Sequence, residues 1–198
     1  PMPSERREPT GHRDSGAVAV ETALVSMLLI ILLFGIIESS FLFKDWISVS
    51  AAARAGARMG ASQPRSPSFA QDTANQVTNA ISDLTPANIQ EVWVYKAAVT
   101  TNPATSTNRP IGFSDFSNCT ACVKFTWNAG THSLTQSFGN WLSTSQNACS
   151  GDPARDSLGV YVKYRHSSPL GFFFNNATVS ESTVMWIEPI TNTSVCKP

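Results

Sequence analysis

The strongest pattern in the chain is an apolar run near its N-terminal end. From Leu24 to Ile37 every residue is apolar except Ser26 and Gly35, and no proline falls between Gly16 and Gln63. A hydrocarbon core of about 30 Å needs about 20 mostly apolar residues in helical form. Thr22 to Phe43 supplies that length, with one acid, Glu38, near its far end. Beyond Phe43 the pattern changes without a stop signal. Ile47, Ala51, Ala55 and Met59 recur at four-residue spacing, while Arg54 and Arg58 share another face. The pattern predicts one helix over Ala17–Ala61, membrane-spanning first and amphipathic later. At ~1.5 Å per residue it is roughly 65–70 Å long.

Pro64 and Pro67 end that helix. Phe69, Val77, Ile81 and Leu84 then fall on one face of a short amphipathic helix, which Thr85-Pro86 closes. ANIQEVWVYKAAV reads as the first strand, rich in Val, Trp and Tyr. A long polar loop follows, with Pro103 and Pro110. CVKFTW alternates as a half-buried strand, and HSLTQSF is a candidate hairpin partner across an Asn128-Ala129-Gly130 turn. NWLSTSQNACSGDPARDS is irregular. LGVYVKYRH and TVSESTVMWIE are strands, joined by an apolar turn, PLGFFFNNA.

About four strands joined by loops, without crossover helices, favour an antiparallel sheet. Its apolar face needs a cover, and the far half of the long helix is the candidate. The expected fold is therefore α+β: a membrane-spanning N-terminal helix continuing into an amphipathic half packed on a C-terminal antiparallel sheet. The expected organisation is a polar leader over residues 1–16, a transmembrane half over 17–43, an amphipathic half over 44–61 and an extracytoplasmic domain over 62–198.

Composition narrows the partners. Fourteen basic and fourteen acidic residues give zero formal charge, and no basic cluster marks a nucleic-acid site. An ordinary cleaved signal peptide fits poorly, because the apolar core exceeds the usual 7–15 residues and no small-residue site ends it. Basic residues flank the span on both sides, so charge does not orient it. The cysteines do. Cys119, Cys122, Cys149 and Cys196 all lie after the span, and an even count there suggests two disulfides in an oxidising compartment. That puts the N-terminus inside and the domain outside. Of three connectivities, the two that join Cys149 and Cys196 each to one member of the 119/122 pair are favoured, since a direct Cys119–Cys122 bond leaves two long loops untied. A redox or zinc reading of the CTAC pair is weaker. The pair leads into a strand, and no second close pair exists.

The front edge of the span carries a sharper signal. Gly16 precedes the apolar run, and Glu21 is the fifth residue after it. This Gly-to-Glu spacing is the type IV prepilin cleavage pattern. VETALVSMLLIILLFGIIESSFLF followed by SVSAAARAGARMGA resembles the TadE-like minor pseudopilin family of tight-adherence pili. GVYVKYRH followed by VSESTVMWIEP is similar to that family's closing strands. Two positions depart from the pattern: Thr22 stands where related pilins often carry an aromatic, and Trp186 where an Arg is expected. The resemblance implies cleavage between Gly16 and Ala17 by a prepilin peptidase. It implies that the new Ala17 amine pairs with the Glu21 carboxylate of a neighbouring subunit. It also implies pilin and pseudopilin partners, the pilus machinery and a place in the cell envelope.

Each candidate has a plainer alternative. Glu21 could sit at the headgroups and snorkel, although an acid in a spanning helix is rare and costs about 2.5–3.5 kcal/mol at its centre. Glu38 is read as interfacial, beside Lys44. Ala52, Gly56 and Gly60 repeat small residues at four-residue spacing, serving either subunit packing or packing on the chain's own sheet. No catalytic, phosphate-binding or metal motif is visible, and neither cofactor nor small-molecule substrate is expected. The leading function is a structural role in assembly or initiation of a tight-adherence pilus. The alternative is a signal-anchored extracytoplasmic binding domain that is neither processed nor assembled.

Overall fold

The computed structural model describes residues 14–97, 116, 119–171, 173–174, 176–192 and 194–196. The polar loop expected over residues 100–118 lies, apart from Phe116, outside them, as does most of the leader. Helix α1 runs unbroken over Asp14–Ala61, about 70 Å at ~1.5 Å per residue. It starts upstream of Gly16, because no proline or capping glycine interrupts the chain there.

The two halves of α1 have different surroundings. Side chains from Val18 to Ile37 stand largely exposed. From Glu38 onward one stripe turns inward: Glu38, Leu42, Asp45, Val49, Ala52, Gly56 and Gly60, at spacings of three and four. The amphipathic face expected from Ile47, Ala51, Ala55 and Met59 is not the buried one. Ile47 and Ala51 are exposed, and Ala55 and Met59 only half-buried. The reason is packing geometry. Helix α2 (Phe69–Ala80) and the strand carrying Leu158 approach the far end of α1 closely, so small side chains occupy that contact and larger ones are displaced to its flank.

Helix α2 (Phe69–Ala80) buries Phe69, Thr73, Ala74 and Val77. Five strands follow: β1 (Ile89–Ala97), β2 (Cys122–Asn128), β3 (Ser133–Gly139), β4 (Ser157–Arg165) and β5 (Thr178–Trp186). They form one antiparallel sheet in the order β3-β2-β1-β4-β5. The candidate hairpin partner is a full strand, which raises the count from four to five. Its turn is set by Asn128, whose Oδ1 accepts from Gly130 N at 2.9 Å. The α+β architecture is the one the hydrophobic pattern predicts.

One sheet face is covered by helices, α1 over β4 and β5 and α2 towards β3 and β1. Val92, Val94, Val160 and Val162 are fully buried there, each contributing about 1.5–3 kcal/mol over an exposed valine. Alternation sends Trp93 and Tyr95 to the opposite face, where they cluster with Phe116, Cys122 and Tyr161. Trp93 stacks on Phe116 with ring centroids 4.1 Å apart. Gly159, opposite Tyr95 in the register, leaves room for the tyrosine ring: a Cβ there would lie 2.2 Å from it.

The cysteines pair as Cys119–Cys122 and Cys149–Cys196. This corrects the favoured cross-pairing. Cys122 is buried in the cluster on the far face of the sheet. Cys149 and Cys196 meet beside the end of α1, where Ala148 N donates to Cys196 O at 2.8 Å, Ile190 N to Ala148 O at 2.7 Å and Glu188 N to Ala61 O at 2.8 Å. A disulfide needs Cα atoms within about 7 Å, and the register keeps the two sites apart. The Cys149–Cys196 bond closes a 47-residue separation and Cys119–Cys122 one of 3. Loop-closure entropy alone makes the first worth about 4 kcal/mol and the second about 2 kcal/mol. Removing Cys149 and Cys196 together should therefore lower the denaturant midpoint of the detergent-solubilised protein about twice as far as removing Cys119 and Cys122. Equal losses would contradict this ranking.

Candidate functional site

Two parts of α1 carry chemistry. The first is its N-terminal end. Gly16 lies in the first helical turn, with nothing within 4 Å of where a Cβ would stand. The hydrophobic pattern predicts a helix from Ala17, just after this residue; the structure places Gly16 within the helix. A peptidase must then unwind that turn. Its N–H groups have no helical acceptors, and glycine favours helix about 1 kcal/mol less than alanine, so unwinding costs little. Glu21 is exposed one turn further along, without an ion-pair or hydrogen-bond partner among the described residues. The helix around it presents Val18, Val20, Leu24 and Val25 outwards.

The second part is a collar where the domain meets the helix. Glu38 is fully buried. Its carboxylate accepts from Ser168 Oγ and, at 2.7 Å, from the Phe173 backbone N–H. The expected neighbour, Lys44, is exposed, whereas Glu38 is buried under the β4–β5 loop, which folds back along α1 to cap it. Two turns on, Asp45 Oδ2 accepts from His166 Nδ1 at 2.6 Å, with His166 1% exposed. Trp46 Nε1 donates to Glu181 on β5. Burial pushes the phenol of neighbouring Tyr164 above its usual pKa, with a hydrogen bond to Asn88 opposing and the Asp45 carboxylate adding to the rise. Farther along the sheet, burial raises the Glu91 carboxyl, but Lys124 at 2.8 Å and Lys163 at 3.5 Å outweigh it and hold the pKa below the usual value.

Sequence reasoning missed the collar. The signal was present: Glu38 and Asp45 are seven residues apart and continue the stripe of Ala52, Gly56 and Gly60. Reading Glu38 as part of the span hid it. The small-residue stripe itself lies against this chain's own elements. A Cβ at Gly56 would lie 2.6 Å from Val77 Cγ2, and one at Gly60 2.4 Å from Thr73 Oγ1 and 2.8 Å from Leu158 Cδ1. Ala52 is fully buried. The four cysteines are all in disulfides. Among the described residues no cluster of His, Cys, Asp and Glu could hold a metal ion.

The free length of α1 fits a membrane. Ala17 to Ile37 spans about 31 Å at ~1.5 Å per residue, close to the ~30 Å hydrocarbon core. The helix is long and apolar enough to cross a membrane. Among the described residues this one long apolar helix, bearing an α+β domain, suggests a membrane anchor. Residues 16–58 match the model of the TadE-like protein family, the family these same residues resemble. The match ends before the sheet, so the likeness of the closing strands lies outside it. No curated protein and no solved structure matches the chain. The apolar helix and the TadE-like match together support membrane association and point to involvement in a tight-adherence pilus.

Proposed function

We propose that this chain is a minor pseudopilin-like subunit that assembles into, or initiates, a tight-adherence pilus, and that it has no enzymatic activity. The observation that carries this reading is the TadE-like match over 16–58 on a helix whose front edge bears Gly16 and Glu21 at the prepilin spacing. The domain lies outside the cytoplasmic membrane, in keeping with two disulfides on one side of the span. A prepilin peptidase at the inner face cuts after Gly16. The Ala17 amine so formed pairs with Glu21 of a neighbouring subunit, because an isolated carboxylate in lipid is costly and an amine offsets it.

N-terminal sequencing of the protein from its native host tests the first step. The mature chain should begin at Ala17. Gly16→Val should leave the leader attached, because a branched side chain fills the space that a peptidase pocket leaves beside a bare glycine backbone. Recovery of intact leader from wild-type cells that make the pilus would favour the plain anchor instead.

A further inference from the structure

The β4–β5 loop lies alongside the part of α1 that is free of the domain. Ser168 and Phe173 N hold it to Glu38. From that clasp Phe173 reaches towards the N-terminal end of α1. Phe173 flanks a groove whose floor is Met27, Ile30, Ile31 and Phe34. Phe173 and Phe174 flank a second groove over Gly35 and Ser39. Leu170 and Phe173 are exposed, Phe173 by 53%. From His166 to Ser180 the sequence contains no Asp, Glu, Lys or Arg. Just above the clasp come exposed Lys44 and the Phe43–Trp46 ring pair, centroids 5.6 Å apart. Aromatic and basic residues of this kind concentrate at the membrane–water interface.

We infer that the tip of the β4–β5 loop, with Leu170 and Phe173, inserts into the lipid leaflet on the domain's side of the membrane and fixes the depth and tilt of the domain. The inference rests on the membrane-anchor reading of α1. The helix itself is the ruler. With Ile37 at the hydrocarbon edge, Ile31 and Phe34 lie about 5–10 Å below it at ~1.5 Å per residue. Phe173, against those residues, is then at the depth where apolar faces of interfacial segments settle, ~5–10 Å into the acyl boundary. The occupant of the grooves is acyl chain, because both are continuous with the lipid-facing surface of the span. Glu38 has the matching role. A carboxylate next to lipid is costly without hydrogen bonds, and the loop that inserts also supplies its donors.

Depth-resolved quenching tests the proposal. The four native cysteines are in disulfides, so Leu170→Cys and Phe173→Cys each introduce a single free thiol for an environment-sensitive fluorophore. Leu28→Cys reports the span and Thr131→Cys the exposed β2–β3 turn. The full chain is reconstituted in phosphatidylcholine vesicles containing lipids with nitroxides at shallow or deep acyl positions. Labels at 170 and 173 should be quenched several-fold more by the shallow nitroxide than the label at 131, and be protected from aqueous iodide. Quenching at 28 with iodide access at 170 and 173 would overturn the insertion and leave the anchor standing. An unquenched label at 28 would overturn both. Labels at 170 and 173 shielded from lipid and iodide alike, with crosslinks to a second copy, would overturn lipid as the occupant.

Discussion

Glu21→Ala is expected to reach the membrane at wild-type level or above, to be trimmed after Gly16, and to fail to join the pilus. Insertion should not suffer, because the substitution removes a charge that costs up to about 2.5–3.5 kcal/mol within a spanning helix. Folding should not suffer either. Glu21 is exposed on the free half of α1, and the first residue of that helix to be buried is Glu38. What is lost under the proposed function is the carboxylate that pairs with a neighbour's Ala17 amine. Glu21→Asp keeps the charge with one methylene less reach and should be partly defective. The control is Glu38→Ala, and the collar changes what it reports. Its loss leaves Ser168 Oγ and Phe173 N without their acceptor, so it should loosen the β4–β5 loop and lower domain stability without blocking cleavage. Pilus yield, processing and membrane level are measured for all three variants. Wild-type assembly of Glu21→Ala would remove the pilin-like role of this residue.

The second large effect is on folding. Gly56→Ala and Gly60→Ala should each destabilise the domain by about 1–3 kcal/mol, the usual cost of overpacking a filled core. The propensity effect alone runs the other way, since alanine favours helix by about 1 kcal/mol over glycine. Sterics win because the neighbours cannot retreat. Val77, Thr73 and Leu158 are fully buried, and Thr73 Oγ1 is committed to Phe69 O at 2.7 Å. For a domain of this size the melting temperature should fall by roughly 2–4 °C per kcal/mol. Gly35→Ala is the internal comparison. It sits on the same helix with nothing within 4 Å of a new Cβ, and should be neutral or slightly stabilising. Thermal unfolding in detergent compares the three; an equal response at Gly35 and Gly60 would show that helix propensity, not packing, governs these positions.

The hydrophobic pattern by itself determined the long helix, the short one and the strands. Proline-free apolar sequence leaves helix as the only satisfied backbone in lipid, and alternation in CVKFTW leaves strand as the way to bury one side. It also determined the TadE-like segment, because Gly16, Glu21 and the run behind them are a local signal. What a single segment could not encode was which parts meet. The buried stripe of α1 is set by side-chain size at a three-body contact with α2 and β4, so the larger Ile47 and Met59 misdirected the reading while Gly56 and Gly60 held the answer. The disulfide pairing depends on sheet register, which sends Cys122 to one face and leaves Cys149 and Cys196 beside the end of α1. The clasp on Glu38 joins residues 130 and 135 positions apart. Only the packing of the sheet on α1 brings the β4–β5 loop back to the helix, and only then does an acid in an apolar run find its donors.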